Sequence, residues 1–554
     1  MENLLNSKHP KDLKKEELKE NEQIEFKRQK ISNENLNQNL NENLKENLNE
    51  NQNENLKENL NENQNENLKE NLKENQKENL KENQNLNQNL NENENDEEMK
   101  IKKEFMIMMD EMKNKKFNLE NFKDLVEDPL KNRDTSQHQK FVLNKIPFDK
   151  IKLLRQKKYS LPNSQKINSI TKEKMENQTF EEIEKTVLLP DPIRERKKID
   201  FKGKIILAPL TTTGNLPFRR LCKEQGVDIT IGEMAIDKKL LQGAPSEWAL
   251  VKRHQSEDVF GVQLAGSNAP ILTKISEFLE KELISSNGID FIDLNCGCPI
   301  DLIVKHKMGS YLLNEPKRIE RILKSMKSVI SCPLTIKIRS GFQKKNLIAH
   351  SLVPKLKNWG ADAVTLHGRT QQQRYTKLSD WDYINEIAKN TPDLPLIGNG
   401  DIFDYTQVVE QFELANVSSI MIGRGALIKP WIFREIKEKR RIDMSSSERL
   451  ELYKKFVEFG LDHWGADKKG VDRTRKFFLE WLSFTYRYVP VGLLEVLPQK
   501  MNSRPQPFSG RNELESLFAS GDPKDWVLIS EMFLGPVGSG FKFEPKHQAK
   551  SWIN

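Results

Sequence analysis

Eight short apolar runs, most of them separated by longer amphipathic stretches, occupy residues 204–422 of this 554-residue chain. Short runs rich in β-branched residues predict strands, and the intervening stretches 270–283, 316–329 and 405–412 have the apolar spacing of helices. Eight strand and helix units within about 235 residues are typical of a (β/α)8 barrel. The predicted strands are 204–208, 228–231, 259–264, 291–294, 334–338, 363–366, 396–397 and 419–422.

An open, doubly wound sheet is the alternative fold for alternating strands and helices. That fold favours a Gly-rich G-x-G-x-x-G turn directly after the first strand. Here the first predicted strand leads instead into residues 208–215, which read Ala-Pro-Leu-Thr-Thr-Thr-Gly-Asn. The sequence therefore predicts an α/β protein whose TIM barrel covers residues 199–436.

The chain before the barrel has a different composition. Residues 1–98 are mostly Asn, Glu, Leu, Lys and Gln in a four-residue repeat. We predict a long disordered N-terminal extension, because frequent Asn disfavours a helix and few apolar residues are available for a core; a helical oligomerisation stalk is the alternative. For residues 99–198 we predict a Lys-rich linker with short helices at 105–112 and 119–126.

The segment 145–160 of this linker is basic and aromatic. This composition agrees equally well with an arm that contacts RNA and with a solvated linker.

Residues 437–554 predict an all-helical C-terminal domain. The stretches 446–464 and 471–486 carry apolar residues at helical spacing, with many Lys and Arg on their other faces. The net charge of +7 is compatible with a polyanionic partner without requiring one. No run approaches the roughly eighteen apolar residues of a transmembrane helix, so no membrane association is predicted.

The four cysteines, Cys222, Cys296, Cys298 and Cys332, all lie in the predicted barrel. They lack the paired spacing and the neighbouring His residues of a zinc site, so no metal site is predicted. Because no secretory signal precedes them, a reduced intracellular compartment is expected. We predict that the remaining three cysteines are small residues packed in the core, namely Cys222, Cys296 and Cys332.

Polar or Gly residues follow seven of the eight predicted strands, at the end where barrels of this kind assemble their chemistry. Packing alone does not explain that many polar strand ends. The residues are Pro209, Leu210 and Thr211 after strand one, Gln263 at strand three, Asn295 and Cys298 at strand four, Lys337 and Arg339 at strand five, His367, Gly368 and Arg369 at strand six, Asn399, Gly400 and Asp401 at strand seven, and Gly423, Arg424 and Gly425 at strand eight.

The loops at 399–401 and 423–425 predict a phosphate-bearing cofactor. Loops after strands seven and eight are the usual phosphate site of this fold, where backbone N–H groups meet the anion. A single Gly-Arg pair would indicate only a tight turn, but here two Gly-bearing loops occupy both positions.

Lys337 ends an otherwise apolar strand, and burying its ammonium without an anionic partner is costly. Beside a flavin ring this lysine would stabilise the reduced, anionic form.

In these motifs the chain resembles the tRNA-dihydrouridine synthases, over about residues 199–552. The most specific motif is Asp-Leu-Asn-Cys-Gly-Cys-Pro at 293–299. The resemblance is closest to the eukaryotic subgroup that acts on uridine 47. Further family motifs lie at 207–211, 261–266, 367–370, 398–401 and 422–425, and subgroup motifs at 214–220, 298–302, 480–484, 487–495 and 530–537.

The resemblance implies FMN as cofactor, NADPH or NADH as reductant, and uridine in tRNA as substrate, with messenger RNA as a second candidate. It implies Cys298 as the proton donor. Asn295, Arg339 and Arg369 would contact the substrate or support the site. By motif, FMN would be held by Pro209, Leu210, Thr211, Gln263, Lys337, His367, Asn399, Gly400, Asp401, Gly423 and Arg424.

The implied reaction adds a hydride to C6 and a proton to C5 of uracil, with the hydride coming from reduced FMN. A thiol suits the proton-donor role, because its unperturbed pKa near 8.5 leaves it mostly protonated at neutral pH. The base must leave its stack to react, at a cost of a few kcal/mol. Phosphate contacts from the basic helical domain and the Lys-rich linker would offset this cost.

Two features depart from the subgroup. Its members commonly carry Cys3His zinc fingers before the barrel, whereas no Cys precedes Cys222 here, so no zinc fingers are expected. The stretch 305–310 reads Lys-His-Lys-Met-Gly-Ser where a Gly-rich run is usual.

We expect the protein to be a monomer and to be located in the cytoplasm, the nucleus or both. The alternatives are an FMN-barrel reductase of a small molecule and a non-catalytic RNA-binding protein. Tyr375 and Trp381 fit either the core or an RNA-facing surface.

Overall fold

The computed structural model describes residues 117–126, 129, 141–170, 172–179, 182–183, 198–375, 377–414, 416–491, 493, 497, 503, 505 and 508–546. The predicted disordered extension 1–98 and the predicted helix 105–112 lie outside these residues. All described residues belong to one unit, Met109–Asn554.

Eight parallel strands close into a barrel, which confirms the predicted fold. The barrel is closed because the second strand pairs with the third as well as with the first. All eight predicted strands are present within two residues at each end. They are β1 (Ile205–Leu207), β2 (Ile229–Ile231), β3 (Val259–Ala265), β4 (Phe291–Cys296), β5 (Leu334–Arg339), β6 (Ala363–His367), β7 (Leu396–Asn399) and β8 (Ser419–Ile422).

Helices cover the outside of the barrel. The helices predicted at 270–283, 316–329 and 405–412 are observed at Ala269–Leu279, which continues as a π-helix over Glu280–Ile284, at Pro316–Lys327 and at Tyr405–Leu414. The other α-helices of this region are Leu216–Glu224, Asp237–Leu241, Pro245–Leu250, Asp301–Lys305, Ala349–Leu356, Trp381–Asn390, Arg424–Ile428 and Ile432–Glu438, and 3-10 helices cover Gly309–Asn314 and Lys357–Trp359.

The C-terminal region is helical, as predicted. Its long helices are Ser446–Trp464 and Lys468–Thr485, and the shorter ones are Glu513–Ala519 and Pro523–Leu534. Ser445 begins the first of them with a capping box: its side chain accepts a hydrogen bond from the backbone of Glu448, and the Glu448 carboxylate accepts one in return.

The helical region packs directly on the barrel. The indole N–H of Trp481 donates to the carbonyl of Leu427 at 3.0 Å, and its ring meets the edge of Phe218 at 5.7 Å between centroids. Arg220 pairs with Asp462 at 2.9 Å. These contacts join the helical region to the helices Arg424–Ile428 and Leu216–Glu224, which follow β8 and β1. None of the helices in the described ranges is both long and apolar enough to cross a membrane.

From residue 141 onward, the segment before the barrel lies along the barrel's outer surface. The predicted helix 119–126 is a 3-10 helix at Leu119–Leu125. Within 145–160, Phe148–Arg155 forms a helix, and Lys150 pairs with Glu282 at 2.6 Å. The ring of Tyr159 packs edge-on against that of Phe278 in a barrel helix, with 4.7 Å between the centroids. RNA contact by this segment stays a prediction. Other elements here are Val142–Leu143, paired with Arg253–His254, and the helices Pro162–Ser169 and Lys172–Asn177.

Candidate active site

Alternation along the strands explains why so many polar side chains meet inside the barrel. Successive side chains of a strand point to opposite faces, so every second residue faces the interior. The apolar interior cluster contains Ile206, Phe291 and Ile397. Polar residues at the same alternation follow toward the carboxyl ends of the strands. They are Gln263, Asp293, Asn295, Thr335, Lys337, Arg339, Thr365, His367 and Asn399.

The strand register brings these side chains together in two successive layers. His367 pairs with Arg339 on one side and Asn399 on the other, and Asn295 lies beside Lys337. Above them is a cavity of about 490 Å³. Fourteen of the fifteen predicted site residues line it. The exception is Arg369, which is fully buried behind the cavity wall.

A chain of hydrogen bonds forms the floor of the cavity. The Asn295 amide donates to the Gln263 carbonyl oxygen at 2.7 Å, and the Gln263 amide donates to Asp293 at 2.7 Å. Asp293 also accepts from the Thr335 hydroxyl at 2.6 Å. Burial raises the pKa of Asp293, while these hydrogen bonds and the nearby Lys337 oppose the rise. The network therefore orients the amides of Gln263 and Asn295 toward the cavity.

Hydrogen bonds from two sides hold the loop that carries Cys298. The Asn295 side-chain oxygen accepts from the backbone N–H groups of Gly297 at 3.2 Å and Cys298 at 2.9 Å. The Cys298 carbonyl accepts from the backbone and the hydroxyl of Ser310, at 3.0 and 2.9 Å. Arg339 donates to the Gly297 carbonyl at 2.9 Å. Ser310 lies in the stretch that departs from the family pattern, and it still fixes this loop.

The two neighbouring cysteines differ in environment, as predicted. Cys296 is fully buried in the core, whereas Cys298 is partly exposed and lines the cavity. Burial raises the pKa of the Cys298 thiol, and the backbone N–H of Ile300 and the charge of Arg339 partly oppose this rise. At neutral pH the cavity therefore presents a protonated thiol.

Lys337 presents an ammonium group to the cavity with a neutral hydrogen-bond acceptor beside it. Its Nζ donates to Asn399 Oδ1 at 2.6 Å, and Asn399 is oriented because its amide donates to the Met421 carbonyl at 2.8 Å. Burial lowers the pKa of Lys337 to about 7, although the nearby Asp293 favours its charged form. An anionic ligand at this position would restore the charge of the lysine.

His367 is a neutral imidazole at physiological pH. Burial, followed by the charges of Arg339, Lys337 and other cations, lowers its pKa well below the ordinary value. Its Nε2 lies 3.1 Å from a guanidinium nitrogen of Arg369, so Nε2 accepts and the ring proton is on Nδ1. His367 can therefore act as a neutral hydrogen-bonding group.

One carboxylate joins the loops after β6, β7 and β8. Asp401 accepts from Arg369 at 2.7 and 2.5 Å and from Arg424 at 2.6 Å. It also accepts from the Ser379 backbone at 2.7 Å. The sequence predicted that Arg369 either contacts the substrate or supports the site. Because its side chain is fully buried, only the supporting role agrees with the structure. Gly400, before Asp401, has a φ of +130° and leaves no room for a Cβ beside Ser379.

The cavity carries an excess of positive charge. Among the described residues that line it, five are Lys or Arg and one, Asp401, is a carboxylate. This set fits an anionic ligand, because each buried cation is stabilised by a negative partner. The five cations are Lys337, Arg339, Arg374, Arg424 and Lys546. Within the part of the chain that the structure describes, no group of three or more His, Cys, Asp or Glu is arranged to hold a metal ion.

Sequence reasoning missed several residues that line the cavity. One of them is Arg374, which follows β6 beside Tyr375, and the ring centre of Tyr375 lies 4.2 Å from the Arg424 guanidinium. Phe484 and Lys546 come from the helical region. Strand-end analysis could not find these two residues, because only tertiary packing brings them to the barrel.

Tyr375 and Trp381, which the sequence left open, have different positions. Tyr375 lines the cavity and is partly exposed. Trp381 packs under the loop after β7, where its indole N–H donates to the Gly400 carbonyl at 2.8 Å. Trp381 is therefore a structural support for the loop, and Tyr375 faces the cavity.

The barrel and its cavity define the class of protein: a (β/α)8 barrel with a cation-lined site at the carboxyl ends of its strands. Residues 206–478 match the family model described as Dihydrouridine synthase (Dus). Residues 206–478 thus form a dihydrouridine synthase domain, which confirms the resemblance read from the motifs.

Curated relatives agree with this assignment. A protein named tRNA-dihydrouridine(47) synthase [NAD(P)(+)]-like from Xenopus tropicalis is 55% identical over 358 residues, covering 65% of this chain and 55% of that protein. One of the same name from Arabidopsis thaliana is 54% identical over 363 residues, covering 65% of this chain and 52% of that protein. This chain spans about half the length of the curated relatives it matches.

Solved structures show a weaker likeness. A histamine dehydrogenase from Rhizobium sp. 4-9 is 12% identical, with a TM-score of 0.34 over 49% of this chain and 51% of that chain. A likeness of this size adds nothing to the family assignment.

Proposed function

We propose that this protein reduces uridine to 5,6-dihydrouridine in tRNA, at position 47, with FMN as cofactor and NADPH or NADH as reductant. The observation that carries the proposal is the position of Cys298, a protonated thiol at the edge of a cation-lined cavity. The family assignment and the names of the relatives support the same reaction.

The residues around the cavity fit FMN. Lys337 and Arg424 offer positive charge, and Gln263 offers amide groups already oriented by Asp293. Gly400 and Gly423 line the cavity in the loops after β7 and β8, which are the usual phosphate site of this fold. When bound, the flavin would supply the hydride that C6 of the uracil receives.

Cys298 acts in this proposal as the general acid. Its Sγ donates a proton to C5 of the uracil and becomes a thiolate. Arg339 stabilises that thiolate, because its charge favours the deprotonated form of Cys298. The hydrogen bonds from Asn295 and Ser310 to the backbone of Cys298 keep the thiol in one place while the proton moves.

RNA fits the positive surroundings of the cavity better than a neutral small molecule. A uridine that reaches the thiol must leave its stack, and the cost is offset by contacts with neighbouring phosphates. Messenger RNA meets the same requirement, so we include it as a second substrate. We further propose that the protein acts as a monomer, in the cytoplasm, the nucleus or both.

The direct test uses purified full-length protein. We expect a yellow protein with the absorbance of FMN that forms dihydrouridine at position 47 of an unmodified tRNA transcript when NADPH is added. Free uridine should react far more slowly, because it lacks the phosphates. A protein that binds no flavin, or that reduces free uridine as fast as tRNA, would falsify the proposal.

The titration of Lys337 makes a separate prediction. Its pKa of about 7 in the unliganded cavity means that the positive charge is present below pH 7 and is lost above it. A carbonyl of the flavin ring would accept a hydrogen bond from the ammonium and so favour the charged form, and FMN affinity is therefore expected to fall by up to about tenfold between pH 6 and pH 8.

Lys337→Met serves as the control for this pH dependence. The variant should bind FMN more weakly at pH 6 and lose the part of the pH dependence that is due to the lysine. Titration of the FMN phosphate contributes equally in both proteins and cancels in the comparison. Equal pH dependence in the two proteins, measured by flavin fluorescence, would rule out Lys337 as the titrating group.

A further inference from the structure

The C-terminal end of the described chain returns to the mouth of the cavity. After the helix Pro523–Leu534, the chain runs back along the helical region, where Phe543 packs against the edge of Trp526. The backbone N–H of Lys546 then donates to Glu480 at 3.1 Å. This bond ties Lys546 to the helix that also supplies Phe484 to the cavity.

The side chain of Lys546 reaches the loop after β1. Its Nζ lies 3.4 Å from the Thr212 hydroxyl, a long and therefore weak hydrogen bond. Thr212 has a φ of +73°, and its backbone N–H donates to Glu233 at 2.6 Å. Burial raises the pKa of Glu233, and the charges of Arg219 and Lys546 oppose the rise. Lys546 is thus held near a carboxylate while the residue as a whole stays exposed.

This lysine faces the other cations across the cavity. The loop that it contacts follows β1, which lies opposite β5 in the closed barrel. Arg374 follows β6 and is exposed, although its guanidinium pairs with Asp301 at 2.6 Å, and Arg339 at the end of β5 is buried. Positive charge therefore lies on two opposite sides of the mouth. A strand that inserts one base into a cavity has a phosphate on each side of that base, which matches this distribution.

We propose that Lys546 binds a backbone phosphate beside the target nucleotide, and so positions the RNA strand across the mouth of the cavity. The inference rests on the proposed function, since it assumes an RNA substrate. In this role the weak bond to Thr212 is replaced by a charge-assisted bond to phosphate. The C-terminal segment then contributes a substrate-positioning residue, while the proton donor belongs to the barrel.

Lys546→Ala tests the proposal in the full-length protein. Its affinity for unmodified tRNA is expected to fall about tenfold, the size of one charge-assisted contact. The dependence of log affinity on log salt concentration should become shallower by about one, as for one lost phosphate contact. The rate at saturating tRNA should change little. Lys546→Arg should restore most of the affinity, because it keeps the charge.

Lys542→Ala is the matched control, since it removes the same charge from an exposed position of the same segment that does not line the cavity. It should retain nearly full affinity and the original salt dependence. Equal effects of the two alanine variants, or an unchanged salt dependence for Lys546→Ala, would overturn the proposal.

Flavin measurements separate this inference from the proposed function. FMN content and the rate of flavin reduction by NADPH do not depend on an RNA contact, so they should be normal in Lys546→Ala. If the unaltered protein binds no flavin, the proposed function fails. If it forms dihydrouridine but is indifferent to Lys546, only the positioning role fails.

Discussion

Replacing Cys298 with alanine is expected to lower the rate of dihydrouridine formation by about 100-fold to 10,000-fold, the usual contribution of a general acid. FMN binding should persist, because the backbone bonds that hold this loop to Asn295 and Ser310 do not involve the thiol. The measurement is a single-turnover assay of dihydrouridine in tRNA with the flavin reduced beforehand.

Cys296→Ala is the matched control for that loss. Cys296 is two residues away, fully buried and outside the cavity lining. Its substitution should affect stability more than rate. A Cys298→Ala protein that works at the normal rate would show that another group donates the proton.

The pH dependence of the reaction should reflect the raised pKa of the Cys298 thiol. Since burial shifts this pKa above its ordinary value, the proton donor stays loaded through neutral pH and is lost only at high pH. With tRNA and FMN saturating, the single-turnover rate should therefore hold through neutral pH and decline in the alkaline range. A decline centred below pH 7 would contradict the assignment.

Asp401→Asn is expected to destabilise the protein by about 3–5 kcal/mol, the usual effect of removing one partner from a buried ion pair. Asp401 is the carboxylate that Arg369 and Arg424 share, and all three side chains are at least nine-tenths buried. Asn keeps the shape of the side chain and tolerates the observed φ of +54°. The loss would therefore come from charge and not from strain.

Urea unfolding of flavin-free protein measures this effect. The control is Asp404→Asn, three residues along the same loop, whose ion pair with Arg441 is partly exposed to solvent. An exposed pair of this kind contributes about 1 kcal/mol or less. Inorganic phosphate should stabilise Asp401→Asn more than the unaltered protein, because the two guanidiniums then lack their carboxylate. Equal stability of the two variants would refute the shared-carboxylate interpretation.

Much of the barrel could be predicted from sequence because its signals are local. Each strand is a short apolar run, and the polar residues that face the cavity lie at its end. Alternation along a strand then decides which of them face inward, so Gln263, Lys337 and Asn399 were identifiable without coordinates. The helices beginning at Ser446 and Pro316 were equally local, since apolar spacing and end signals determine both.

The tertiary structure alone decided the roles that depend on distance. It buried Arg369 behind Asp401, although both residues follow strands in the same way as their neighbours. It also brought Phe484 and Lys546 from the helical region to the cavity. The sequence by itself thus determined the fold class and the polar strand ends, because these depend on neighbouring residues. Charge pairing, and contacts between residues hundreds of positions apart, arise only when packing brings the side chains together.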